Sequence, residues 1–123
     1  MTPAPGLGFI ILYVEDTARS AGFYAKLLAR EPVEASPSFV LFPLPSGIAL
    51  GLWSRHGVEP LPTGGPGGGE LAFTTHNVDA VHADWVARGV TIAQGPSDLD
   101  FGRAFTALDP DGHRLRVFAP AAG

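Results

Sequence analysis

Residues 8–24 read GFIILYVEDTARSAGFY, and residues 70–86 read ELAFTTHNVDAVHADWV. The first stretch opens with an apolar, partly β-branched run, Gly8–Val14, that predicts a strand. Asp16 follows as a helix N-cap, and Phe23, Tyr24, Leu27 and Leu28 recur at helical spacing within Thr17–Arg30. Glu31-Pro32 closes this helix, because proline disfavours the α conformation in the residue before it. The second stretch repeats the plan. Glu70–Thr75 predicts a strand and Asn77 a cap. Val78, Val81, Trp85 and Val86 form the next helical stripe, which stops at Gly89.

Working outward, each stretch is followed by a hairpin. FVLFPL (39–44) and GIALGLW (47–53) flank Pro45-Ser46-Gly47, while RAFTALD (103–109) and HRLRVF (113–118) flank Pro110-Asp111-Gly112. Short strands fit near Val33–Ala35 and Val90–Ala93. The chain thus reads as one α+β domain of two βαβββ modules, about 8–56 and about 70–119. Residues 57–69, which include PLPTGGPGGG, read as a flexible linker. One helix per module covers one sheet face. The other face must be buried or curve around a ligand.

Composition narrows the function classes. The chain has 123 residues, a net charge of -4 and no cysteine. Its length suits a single domain, its charge disfavours nucleic acid, and disulfide or thiolate chemistry is absent. No apolar run is long enough to span a membrane. Met1–Pro5 lacks the basic, then apolar pattern of a secretory leader, so a cytoplasmic protein is expected.

The tandem βαβββ plan, with YVEDTARSAGFY (13–24) and DPDGHRLRVF (109–118), resembles the vicinal-oxygen-chelate superfamily of glyoxalases, bleomycin resistance proteins and dioxygenases. The resemblance covers residues 8–119 and implies a curved mixed sheet around a cavity. For a chain this short it also implies a homodimer with modules exchanged between partners. Enzymes of that family hold a divalent metal with four His, Gln or Glu side chains, one from the first and one from the last strand of each half. Carried over, those positions fall at Phe9, at Ala49 or Gly51, at Glu70 and at Arg116. Only Glu70 can coordinate, since guanidinium has no lone pair to offer. The resemblance therefore implies a member without metal or other cofactor. Glu70 and Arg116 then form either a charge pair in the old half-site or two solvated strand-end residues.

If Phe9 lies at a ligand position, strand alternation puts Phe9, Ile11 and Tyr13 on the cavity face. Ala49, Gly51 and Trp53 share a face by the same rule. Two small residues beside a tryptophan suit a planar aromatic ligand, with Arg116 available to a ligand carboxylate. Ordinary core or interface packing is the plainer reading of Trp53. A narrower resemblance, to phenazine-antibiotic resistance proteins, rests on FY (23–24), EPV (31–33), PSFVLFP (37–43), GIAL (47–50) and WS (53–54). In the second half it rests on FGRAF (101–105) and DPDGHRLRV (109–117), with Asp98–Arg103, including Phe101, near the pocket mouth. It implies sequestration of a planar tricyclic antibiotic without turnover.

Two alternatives stand beside that reading. One is an enzyme of the same family, a lyase or dioxygenase working through other donors or without metal, with Glu70 as base or ligand. The other is an interaction domain whose old site is filled by Phe9 and Trp53. His56, His76, His82 and His113 lack metal-site spacing and read as surface or turn residues. GGPGGG (64–69) is not followed by the lysine of a phosphate-binding loop, and Asp98 and Asp100 read as a solvated pair.

Overall fold

The computed structural model describes residues 7–120, so the leader reading at Met1–Pro5 lies outside the described residues. The chain divides between Pro66 and Gly67 into two compact units.

In the first unit, β1 (Phe9–Val14), α1 (Thr17–Leu28), β2 (Glu34–Ala35), β3 (Phe39–Pro43) and β4 (Ala49–Ser54) form a helix and a four-stranded sheet of order β1-β4-β3-β2. β1 runs parallel to β4, and β3 is antiparallel to it. The Asp16 carboxylate accepts the Arg19 N–H at 3.1 Å, as a cap should. The helix stops two residues earlier than the sequence suggests. Ala29 adopts a left-handed conformation (φ 53°), and the Arg30 N–H donates to the Ala25 carbonyl. The side chains of Leu12, Val14, Val40, Phe42, Leu50 and Leu52 are buried on the helix-covered face, together with Tyr24 of α1. Full burial of such side chains stabilises by roughly 1.5–3 kcal/mol each.

The second unit repeats the topology with β5 (Glu70–Thr74), α2 (Val78–Ala87), β6 (Thr91–Leu99), β7 (Gly102–Leu108) and β8 (Arg114–Pro120), in sheet order β5-β8-β7-β6. Asn77 caps α2 by accepting the Ala80 N–H at 3.0 Å, and Gly89 (φ 81°) ends it. The inward stripe differs from the expected one. Val78 and Trp85 are buried, but Val86 is 50% exposed and His82 stacks edge-on against buried Phe105. β6 is also longer than the short strand expected at Val90–Ala93. It continues through Gly95-Pro96 because it is an edge strand, where proline costs no ladder bond, and its register shifts there.

The segment between the units is tied down at its end. His113 is 2% exposed, so it is no surface histidine. Its Nε2 accepts the Gly67 N–H at 3.0 Å, which leaves Nδ1 protonated to donate to Asp109 Oδ2 at 2.8 Å. Asp109 Oδ1 also accepts the N–H groups of Asp111 and His113, which fixes the turn. Gly67 has φ +98°, and an added Cβ would lie 2.6 Å from the Asp111 carbonyl oxygen. Gly68 has no such neighbour. Gly67→Ala should therefore cost on the order of 2–3 kcal/mol in urea unfolding. Gly68→Ala, measured in parallel, should stay within about 0.5 kcal/mol of the parent.

Candidate functional site

In the first unit, the sheet face away from α1 carries Phe9, Ile11 and Tyr13 of β1, Ala49, Gly51 and Trp53 of β4, and Phe39 and Leu41 of β3. An open cleft of about 460 Å³ lies there, lined by Phe9, Ile11, Glu34, Ser36, Ser38, Phe39 and Trp53. Phe9 stays 55% exposed, an unusual state for phenylalanine on a strand. Phe39 lies directly opposite Trp53 in the ladder, and the two rings meet edge to face at 6.1 Å.

Three sequence-predicted positions behave differently. Gly51 is small, but its space is not open. An added Cβ there would lie 2.9 Å from the Phe39 ring and 3.4 Å from Ile11, so Phe39 occupies the floor. Ala49 is buried, and neither it nor Tyr13 lines the cleft. Sequence reasoning missed Glu34, Ser36, Ser38 and Phe39. For Phe39 a signal existed, because a hairpin centred on Ser46 pairs residue 39 with residue 53.

The cleft's polar side is built by the Ser36-Pro37-Ser38 turn between β2 and β3. Ser36 Oγ accepts the N–H groups of Ser38 and Phe39 and donates to the Phe39 carbonyl. Thr17 Oγ1 donates to the Pro37 carbonyl at 2.8 Å, which ties this turn to the start of α1.

Glu70, Phe101 and Arg116 belong to the second unit. Glu70 and Arg116 share one face of its sheet and form a two-point pair. Arg116 Nε donates to Glu70 Oε2 at 3.0 Å, and a terminal nitrogen donates to Oε1 at 3.3 Å. The pair uses two of the five guanidinium N–H donors. Arg116 holds the Glu70 carboxyl below its ordinary value of 4.5, while partial burial opposes this. Phe101, in the β6–β7 turn, stacks edge-on against Phe118 at 5.7 Å. Asp98 is no free carboxylate. With Asp79 it grips Arg103, which pins the start of α2 to the β6–β7 hairpin. His56 meets Glu15 at 3.0 Å on the surface.

The family model described as Glyoxalase/Bleomycin resistance protein/Dioxygenase superfamily matches residues 6–117. The chain belongs to this superfamily. A curated relative, the phenazine antibiotic resistance protein EhpR of Enterobacter agglomerans, is 32% identical over 113 residues, which span 87% of this chain and 86% of that one. A protein of Agrobacterium tumefaciens solved by solution NMR is 51% identical. It matches with a TM-score of 0.87 over 97% of this chain and all of its own. The antibiotic binding protein TnmS3 of a Streptomyces species shares the fold, at 24% identity and a TM-score of 0.78 over 98% of this chain and all of its own.

The superfamily's metal donors can be tested against these residues. Phe9 and Gly51 offer none, Ala49 is buried, and both Glu70 oxygens are engaged by Arg116. Among the described residues, no group of three or more His, Cys, Asp and Glu is placed to hold an ion. The side chains present do not fit a divalent metal.

The Glu70–Arg116 pair gives a pH signature. A carboxyl depressed in the folded state stabilises above its unfolded value and loses that contribution as pH falls through the folded value. The Glu70 side chain is 40% exposed, so the contribution is on the order of 0.5–1 kcal/mol. Glu70→Gln should be less stable than the parent at pH 7 by about that amount. The gap should close as pH drops below 4.5, measured by urea unfolding across pH.

Proposed function

We propose that this protein binds a small planar aromatic antibiotic of the phenazine type in the first-unit cleft and protects by holding it, without metal and without turnover. The observation that carries this reading is the cleft wall itself. Phe9, Ile11, Phe39 and Trp53 present apolar and aromatic surface to solvent, where folding alone would favour its burial. A tricyclic ligand would cover that surface and gain roughly 0.5–1.5 kcal/mol from offset stacking beyond area burial. The relative named for phenazine resistance supports the ligand class. Sequestration is stoichiometric, so protection in cells should saturate with the amount of protein made. The site of action is the cytosol, and no helix among the described residues is long and apolar enough to cross a membrane.

Titration with unsubstituted phenazine, followed by tryptophan fluorescence, tests the reading. Quenching should saturate at one ligand per chain. It should survive Trp85→Phe, which leaves Trp53 as the reporter, whereas calorimetry on Trp53→Ala should show about tenfold weaker binding. Absence of saturable quenching would refute the reading.

The working unit in this proposal is a homodimer. β1 is an edge strand with Phe9, Ile10 and Ile11 exposed, a row of apolar side chains and free backbone groups that natural sheets cover. Light scattering should give twice the chain mass of 12.8 kDa. A monomer at micromolar concentration would exclude a stable dimer.

A further inference from the structure

The cleft has a chemical polarity that bears on which aromatic molecules it takes. Its lining contains one charged side chain, Glu34, and two hydroxyls, Ser36 and Ser38. Ser36 Oγ is engaged within the turn, accepting the N–H groups of Ser38 and Phe39 and donating to the Phe39 carbonyl at 3.2 Å. The Ser38 hydroxyl lies 3.3 Å from Ser36 Oγ and can donate or accept. The Glu34 carboxylate only accepts. The Trp53 indole N–H, beside Gly57, is a neutral donor in the lining, whose one charged side chain is Glu34.

We infer that this cleft selects planar aromatic ligands that present a hydrogen-bond donor or a positive charge at their edge, such as an amino or protonated amine group. It disfavours those presenting a carboxylate. Glu34 is the residue that sets this preference, and the Ser38 hydroxyl can also accept. A cationic ring system would also gain from the face of Trp53. This inference rests on the proposed function, because it presupposes that the cleft binds flat aromatic molecules.

Three molecules with one tricyclic skeleton separate the two ideas. Acridine is neutral near pH 7.5, 9-aminoacridine is a cation with N–H donors, and acridine-9-carboxylate is an anion. In calorimetric titration of the full chain, 9-aminoacridine should bind about tenfold more tightly than acridine-9-carboxylate. The gap should shrink as salt is raised, since Glu34 is exposed. Glu34→Gln should reduce it to about threefold or less. Ser38→Ala should weaken 9-aminoacridine more than acridine. Equal or tighter binding of the carboxylate by the parent, or a gap that persists in Glu34→Gln, would overturn the inference while acridine binding upheld the proposed function. Failure of all three to bind would overturn both.

Discussion

A four-stranded sheet has two faces, and each unit of this chain supplies one helix. That mismatch is the constraint on which the rest depends. α1 buries Leu12, Val14, Phe42 and Leu52, and α2 buries Phe105, Leu115 and Val117. Among the described residues of the first unit, no helix covers the opposite face, so its residues are free to be chosen for something other than a core. Phe9, Phe39 and Trp53 line a cleft there, where a purely structural module would carry polar side chains. A fold that leaves one sheet face over is suited to ligands. The chemistry then depends on what the leftover face carries, not on the fold.

Where the superfamily's enzymes place metal donors, the first unit carries Phe9 and Ala49 or Gly51, and in the second unit Arg116 engages both Glu70 oxygens. Phe39 fills the space above Gly51, so small residues on β4 make room for a neighbouring ring and not for empty volume. The first-unit cleft is an aromatic trough with a carboxylate and two hydroxyls at its edge, and in the proposed function such a surface holds a ligand by area and by hydrogen bonds.

Much of the fold was legible because local signals agreed with tertiary structure. Asp16 and Asn77 cap helices, Gly89 ends one, and the two Pro-x-Gly turns close hairpins with positive φ at Gly47 and Gly112. Where the reading failed, a non-local fact decided. Gly95-Pro96 looks like a break, yet the edge position of β6 makes it tolerable. Val86 has the right spacing for the core, but the helix is rotated so that His82 meets Phe105 instead. His113 looks like a turn residue and is one. Its burial depends on Gly67, 46 positions away, which no window of sequence reveals. At the site, the aromatic residues of β1 and β4 were legible from alternation. Glu34, Ser36 and Ser38 were not, because they reach the cleft from β2 and the turn after it, which alternation along β1 and β4 does not place.

The strand order has a bearing on how the chain is made. In each unit the first strand pairs with the last, β1 with β4 and β5 with β8, so the earliest residues of a unit wait for its final ones. During synthesis, β1 has no ladder partner until Ala49–Ser54 has emerged, and β5 has none until Arg114–Pro120 is free of the ribosome. Pairing across such separations closes long loops before it yields contacts, which slows folding. The exposed apolar strand Phe9–Ile11 is therefore a nascent-chain hazard as well as a finished wall. β8 also lies between β5 and β7, so a chain that stopped short of it would lack an interior strand of its second sheet.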